Sequence, residues 1–286
     1  MFRILVPALL VSASISACVT TTPDIPAAGW SDHCGPWDEW EAPSPTFAIT
    51  EHITYVGTCG ITSLLVETSD GFALLDAGTE GGAELGLAGI RRLGVDPTDI
   101  RIILTSHEHH DHVGGLAKLQ AATGATVIAG AIAASVLRTG EAHPDDPQFG
   151  LHDPMTPVSG IYAGDDRERA VLGDTAFLMV ATPGHTPGAT SWSWRDTSGR
   201  DVVYADSLSP ISRDDYRFSD HPDYVAAYRE GLDRLAALPC DLLLTPHPSS
   251  SGMIERAADG FPADPSACAD YAAAIRQRLD ARLAGE

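Results

Sequence analysis

Basic side chains are scarce in this chain: lysine occurs once, at Lys118, and lysine and arginine together number 18 against 39 aspartates and glutamates. The resulting formal charge of −21 repels nucleic acid phosphates and anionic lipid surfaces. It argues against a nucleic-acid partner, because phosphate binding calls for a basic groove. Cysteine is sparse too, at five residues, and none sits where a zinc ligand would. Nor does the apolar run at residues 4–11 reach the length of a membrane-spanning helix.

What is present begins with a targeting segment. Met1, Phe2 and Arg3 give a positive start, residues 4–11 an apolar stretch, and residues 12–17 small side chains before Cys18. Residues 1–17 are therefore read as a signal peptide and the mature protein as periplasmic. Ile15-Ser16-Ala17-Cys18 resembles a bacterial lipobox, in which cleavage exposes Cys18 for acylation. Ordinary cleavage nearby, with Cys18 lost or left free, is the other outcome. Residues 18–29, rich in Thr, Pro and Ala, are expected to form a flexible tether. With 44% hydrophobic residues and 27 glycines, residues 30–286 suit one large α/β domain.

The chemistry concentrates in His107-Glu108-His109-His110-Asp111-His112, directly after the apolar run 101–106. In an extended segment leaving a strand, residues two apart point the same way, so His107 and His109 offer their imidazoles to one metal. Asp111 and His112 begin a new direction, since residues 113–119 look like the opening of a helix ending near Gly124. They can face a second metal roughly 3.5–4 Å from the first. A carboxylate among histidines leaves positions open for water, unlike a structural zinc site. His185 lies in the turn Thr182-Pro183-Gly184-His185-Thr186-Pro187-Gly188 after a strand-like run, and His247 follows the apolar run 241–245 between Pro246 and Pro248. Both are strand-end histidines on stiff loops. The count gives His107, His109 and His185 for one zinc and Asp111, His112 and His247 for the other, the ligand set of a binuclear hydrolase.

These motifs resemble the metallo-β-lactamase superfamily. Val56-Gly57-Thr58-Cys59-Gly60-Ile61-Thr62-Ser63, residues 106–115, Tyr204-Ala205-Asp206-Ser207-Leu208-Ser209 and Thr245-Pro246-His247-Pro248 are similar to subclass B3 in particular, over nearly all of the chain from Trp30. The resemblance implies an αββα sandwich with two mixed sheets, two zinc ions held by the six residues above, and a monomer. It implies opening of the β-lactam amide of penicillins, cephalosporins and carbapenems, hence antibiotic resistance. The nucleophile is a zinc-activated hydroxide that Asp111 orients, because zinc lowers the pKa of a bound water to about 7. Ser207 and Ser209 are assigned to the substrate carboxylate. Asp206 is left as a supporting residue, although in the wider superfamily, glyoxalase II among them, a similarly placed Asp bridges the metals. Ser207 also stands where subclass B1 has a cysteine ligand. Export permits disulfides, and four cysteines after Cys18 allow three connectivities. The pairing Cys240–Cys268 resembles a bridge of the B3 family, and Cys34–Cys59 would then pin the N-terminal extension. A thioesterase or lactonase of the same superfamily would keep every ligand and change only the pocket, so that alternative stays open.

Periodicity places strands at 53–57, 61–68, 72–76, 100–105, 125–129, 170–180, 189–195, 201–205 and 241–245, and helices at 82–93, 131–137, 222–238 and 266–283. The segment 138–160, with four prolines and no period, is expected to be a long loop at the cleft, and His143 and His152 within it solvated. His110 holds the variable position of the motif and is expected at the pocket wall. His33, His52 and His221 are read as surface or cap residues, and the five tryptophans as packing residues, with an N-terminal tryptophan at the cleft rim as the alternative.

Overall fold

The computed structural model describes residues 22–286. The signal peptide and Cys18 lie outside the described residues. Among the described residues no helix is long and apolar enough to cross a membrane.

Strands β1 (Phe47–Ala48), β2 (Ile53–Tyr55), β3 (Leu64–Thr68) and β4 (Gly71–Leu75) form an antiparallel run. Helix α1 (Glu80–Arg92) then crosses to β5 (Ile100–Leu104), which pairs parallel with β4. The short α2 (His110–Val113) and α3 (Leu116–Thr123) lead to β6 (Thr126–Gly130), and α4 (Ala131–Thr139) with the long loop leads to β7 (Ile161–Gly164). These seven strands make the first sheet, in chain order. The second sheet takes β8 (Arg169–Leu172), β9 (Thr175–Ala181), β10 (Thr190–Arg195), β11 (Asp201–Tyr204) and, after α5 (Pro222–Ala236), β12 (Leu242–Leu244). Only its β11–β12 pair is parallel. Helices α6 (Met253–Ala258) and α7 (Ala267–Gly285) close the chain.

Three apolar layers hold these parts. Phe47, Tyr55, Leu64, Leu75, Leu104, Phe177, Trp192 and Tyr204 fill the space between the sheets. Leu87 and Ile90 of α1, Leu116 and Leu119 of α3 and Leu137 of α4 pack on the outer face of the first sheet. Tyr228, Leu232 and Leu235 of α5 and Ile275 and Leu279 of α7 cover the second. The apolar stripes at three- and four-residue spacing are what turn these helices towards their sheets. The result is the αββα sandwich that the sequence predicts.

Four differences from the sequence reading have local causes. The run 170–180 is a hairpin, β8 and β9 joined at Gly173, whose φ of +55° suits glycine. The helix after the motif starts earlier and is interrupted at Gly114-Gly115, where the chain passes so close to α1 that a Cβ on Gly115 would lie 2.4 Å from that of Ala83. The strand expected from Ile61 begins at Leu64. Residues 24–29 of the expected tether are docked: Ile25 donates to the Thr46 carbonyl, Asp24 accepts from Thr46 and Arg92, and a 3-10 turn starts at Ala27. Cys34 is bonded to Cys59 and Cys240 to Cys268.

Candidate metal centre and its cleft

Every predicted ligand emerges at the C-terminal end of a strand. His107, His109, Asp111 and His112 follow β5, His185 follows β9, and His247 follows β12. Both sheets present these ends at one edge, so three separate stretches of chain meet there.

The side chains divide into two groups. The donor atoms of His107, His109 and His185 lie within 4.8 Å of one another. Each of these rings has one nitrogen already fixed. His107 Nδ1 is 2.7 Å from Asp206, His109 Nε2 is 2.9 Å from Asp146, and His185 Nδ1 donates to the Ser209 carbonyl at 2.9 Å. One nitrogen per ring is thereby left for a metal, and the partners set the tautomer and the ring angle. His107 Nε2 is buried and has no hydrogen-bond partner. Burial, with the neighbouring imidazoles, holds His107 well below its ordinary pKa and His185 down to about 3, so both rings are neutral, the form that ligates.

In the second group, His112 Nε2 is 3.0 Å from an Asp111 carboxylate oxygen and 3.1 Å from His247 Nε2, and that oxygen is 3.4 Å from His247 Nε2. Donors bound tetrahedrally at the usual zinc distances stand about 3.3 Å apart, so this triangle has the size of one face of a zinc site. The donor sets, three imidazoles in the first group and two imidazoles with one carboxylate in the second, fit zinc. Burial opposes charge on both Asp111 and His112, but their mutual attraction outweighs it. Asp111 is held well below the ordinary carboxylate range and His112 above the ordinary histidine value.

Supporting carboxylates hold these residues, and the sequence reading assigned a role to none of them except Asp206. Asp206 is fully buried, and its two oxygens go to His107 Nδ1 and to the Leu208 amide at 3.0 Å. Asp76, at the end of β4 with φ of +56°, accepts from the Ser106 amide and hydroxyl and from Tyr204, and stands 3.4 Å from His112 Nδ1. Its signal was an acid closing an apolar strand two residues before a glycine. Glu108, the variable residue between two ligands, accepts from Thr186 Oγ1 at 2.8 Å and from the Gly188 amide at 2.9 Å. Asp146 comes from the proline-rich loop and left no signal in the sequence. We predict that Asp146→Ala weakens zinc binding about 10- to 100-fold by freeing the His109 ring. A competition titration with a chelator checks this, and unchanged affinity would sink it.

The groups face an open cleft of about 530 Å³. His109, Asp111, His185, His247 and Ser209 line it together with Trp37, Trp40, Gln148, His152, Ile211 and Arg278. The structure separates the two serines assigned to substrate: Ser209 is on the wall, whereas Ser207 is 1% exposed, outside the lining, with its hydroxyl unpaired. The tryptophans also divide. Trp30, Trp192 and Trp194 are buried, while Trp37 is 84% exposed and Trp40 meets the His110 ring edge-on. Trp37 and Trp40 thus take the rim position that the sequence left open for an N-terminal tryptophan, and the other three pack. The long loop borders the cleft through Gln148 and His152, and His152 is also 4.9 Å, ring to ring, from His110. His143 stays away from the ligands, beside Asp145.

The chain belongs to the metallo-β-lactamase superfamily: the family model described as "Metallo-beta-lactamase superfamily" matches residues 56–247. Within it, the solved structures it resembles are metallo-β-lactamases, some of them described as subclass B3. MIM-2 metallo-β-lactamase is 47% identical with a TM-score of 0.86, over 92% of this chain and 98% of that one. MIM-1 from Novosphingobium pentaromativorans is 47% identical with a TM-score of 0.81, over 86% and 92%. MEM-A1, a subclass B3 enzyme from a soil metagenome library, is 37% identical with a TM-score of 0.82, over 86% and 98%. Among curated proteins, the hydroxyacylglutathione hydrolase of Pseudomonas entomophila is 30% identical over 140 residues, 49% of this chain and 44% of its own length. That of Albidiferax ferrireducens is 29% identical over 56% of this chain and 51% of its own length, so the chain spans about half of these relatives.

Proposed function

We propose that this protein is an exported, monomeric, two-zinc β-lactamase that opens the lactam amide of penicillins, cephalosporins and carbapenems and so confers resistance to them. The observation that carries the choice of substrate class is at Asp206. It is fully buried, lies outside the cleft lining and turns one oxygen to His107 Nδ1 and the other to the Leu208 amide, the placement of a residue that orients a ligand and unlike the metal-bridging Asp of glyoxalase II. The likeness to proteins named as metallo-β-lactamases over 92% of this chain supports the same choice. Residues 1–17 and the two disulfides support export to an oxidising compartment. Acylation of Cys18 would tether the protein to the membrane surface.

His107, His109 and His185 would hold one zinc, and Asp111, His112 and His247 the other. When bound, zinc supplies an acidified water and a sink for the negative charge that develops on the lactam carbonyl oxygen and amide nitrogen. The protein's own groups do the positioning. Asp111 stays ionised and lines the cleft, so its carboxylate can accept a hydrogen bond from the attacking water and aim it at the carbonyl. The Ser209 hydroxyl, whose one internal bond to the Ser207 carbonyl is long at 3.4 Å, is free to turn towards the substrate carboxylate. Trp37 and Trp40 give the rim an apolar surface for the acyl side chain of the substrate. No nucleophilic side chain is called for, so no acyl-enzyme forms.

The test is hydrolysis of a carbapenem followed by ultraviolet absorbance, with zinc, after EDTA, and after zinc is restored. The purified protein should start no later than residue 22, since Asp24 and Ile25 are part of the packed fold. We expect EDTA to abolish turnover and zinc to return it. A zinc-loaded protein that opens no β-lactam but cleaves a hydroxyacylglutathione thioester would replace this reading with a thioesterase.

A further inference from the structure

We infer that Arg278 receives the carboxylate of the substrate at the rim of the cleft, an inference that rests on the β-lactamase reading. Among the residues lining the cleft, Arg278 is the one permanently charged cation, facing a wall whose carboxylates are Asp38 and Asp111. Its place follows from the geometry of α7. Tyr271, seven residues earlier and so on the same face, donates to the Ser207 carbonyl at 2.6 Å beneath the floor of the site. Ile275, between them on that face, is fully buried. Two helical turns advance the chain by about 10 Å, which carries the same face from the floor to the rim.

On the same helix Arg276 bonds Asp233 and Arg282 bonds Glu286, but Arg278 makes no ion pair or hydrogen bond among the described residues. Arg91, Arg169 and Arg217 are unpaired too, yet of these four Arg278 alone lines the cleft. In a chain with 39 acidic residues and 18 basic ones, a cation left unpaired at the mouth of a cleft is a poor use of charge unless an anion arrives from outside. The substrates proposed above are carboxylates, and the net charge of −21 disfavours their approach. A guanidinium at the rim offsets that repulsion locally and offers a planar pair of donors matched to a carboxylate. Ser209, on the loop that Tyr271 anchors and in the same cleft lining, supplies a hydroxyl beside it.

The test compares zinc-loaded wild type, Arg278→Ala, Arg278→Glu and Arg278→Lys on a penicillin and on the methyl ester of its carboxylate. Arg278 is exposed, so the substitutions leave the core intact. For the acid, Arg278→Ala should raise KM about tenfold while kcat stays within about twofold, Arg278→Glu should raise it further, and Arg278→Lys should recover part of the loss. KM for the ester should not respond. The kcat/KM of wild type on the acid should also fall more steeply with salt than that of Arg278→Ala. If wild type opens both substrates and Arg278→Ala matches it on the acid, the role of Arg278 is overturned alone. If wild type opens neither, the β-lactamase reading falls and takes this inference with it.

Discussion

Asp111→Asn should lower kcat about a thousandfold, equivalent to about 4 kcal/mol of barrier, with the fold intact. The substitution keeps the shape and removes the charge. In the native chain one Asp111 oxygen stands 3.0 Å from His112 Nε2 and 3.4 Å from His247 Nε2, so it is the sole anion in that donor triangle. A neutral amide there binds a dication less well, and where it presents its NH₂ it cannot accept a hydrogen bond from the attacking water. Asp111 sits on the short α2 at the cleft and not in an apolar layer, so circular dichroism should keep its native shape, while the metal-free protein should melt lower because buried His112 loses its anion. The decisive measurement is turnover alongside zinc content. A variant carrying two zinc ions per chain and near-native kcat would remove Asp111 from the mechanism.

Glu108→Ala should do comparable damage by a different route, acting on both stability and activity. Glu108 is buried between the sheets' ends and bonds the turn carrying His185 through Thr186 Oγ1 and the Gly188 amide. It therefore ties the loop after β5 to the loop after β9. The fit at Gly188 is close, since a Cβ there would lie 2.7 Å from the carboxylate. Removing the carboxylate strands two buried donors, at a cost of about 3 kcal/mol. It also frees His185 relative to His107 and His109, so zinc affinity and kcat should each fall about 10- to 100-fold. Glu108→Gln keeps an acceptor and should recover most of the stability. If Glu108→Ala melts like wild type and retains full activity, Glu108 is merely a residue of the loop and not a clamp.

Residues close in sequence announced much of this protein. The spacing of His107, His109, Asp111 and His112 was legible because two-residue alternation and the onset of a helix are local matters. The strand-end positions of His185 and His247 were legible because proline and glycine mark where a strand must stop. The periodicity that places helices at 82–93 and 222–238 was readable for the same reason. The sandwich itself came from resemblance, since no local signal states that two sheets will stack.

Only the tertiary structure decided which carboxylates stand behind the ligands. Asp76, Glu108, Asp146 and Asp206 reach their partners across separations of 36, 80, 37 and 99 residues respectively, counting to His112, Gly188, His109 and His107. A buried acid looks the same in sequence whether it caps a turn or orients an imidazole, and nothing near Asp146 distinguishes it from Asp145. The same holds for Ser207 and Ser209, two residues apart and separated only by the way Leu208, with φ of +50°, turns the chain. Trp37 and Trp40 belong to the cleft because the segment after Cys34 is bonded to Cys59 and lies along it. Donor types and their spacing are one-dimensional quantities and were written in the chain. The partners that fix each donor depend on which strand ends share an edge, and that is settled by burial of the sheet faces against one another.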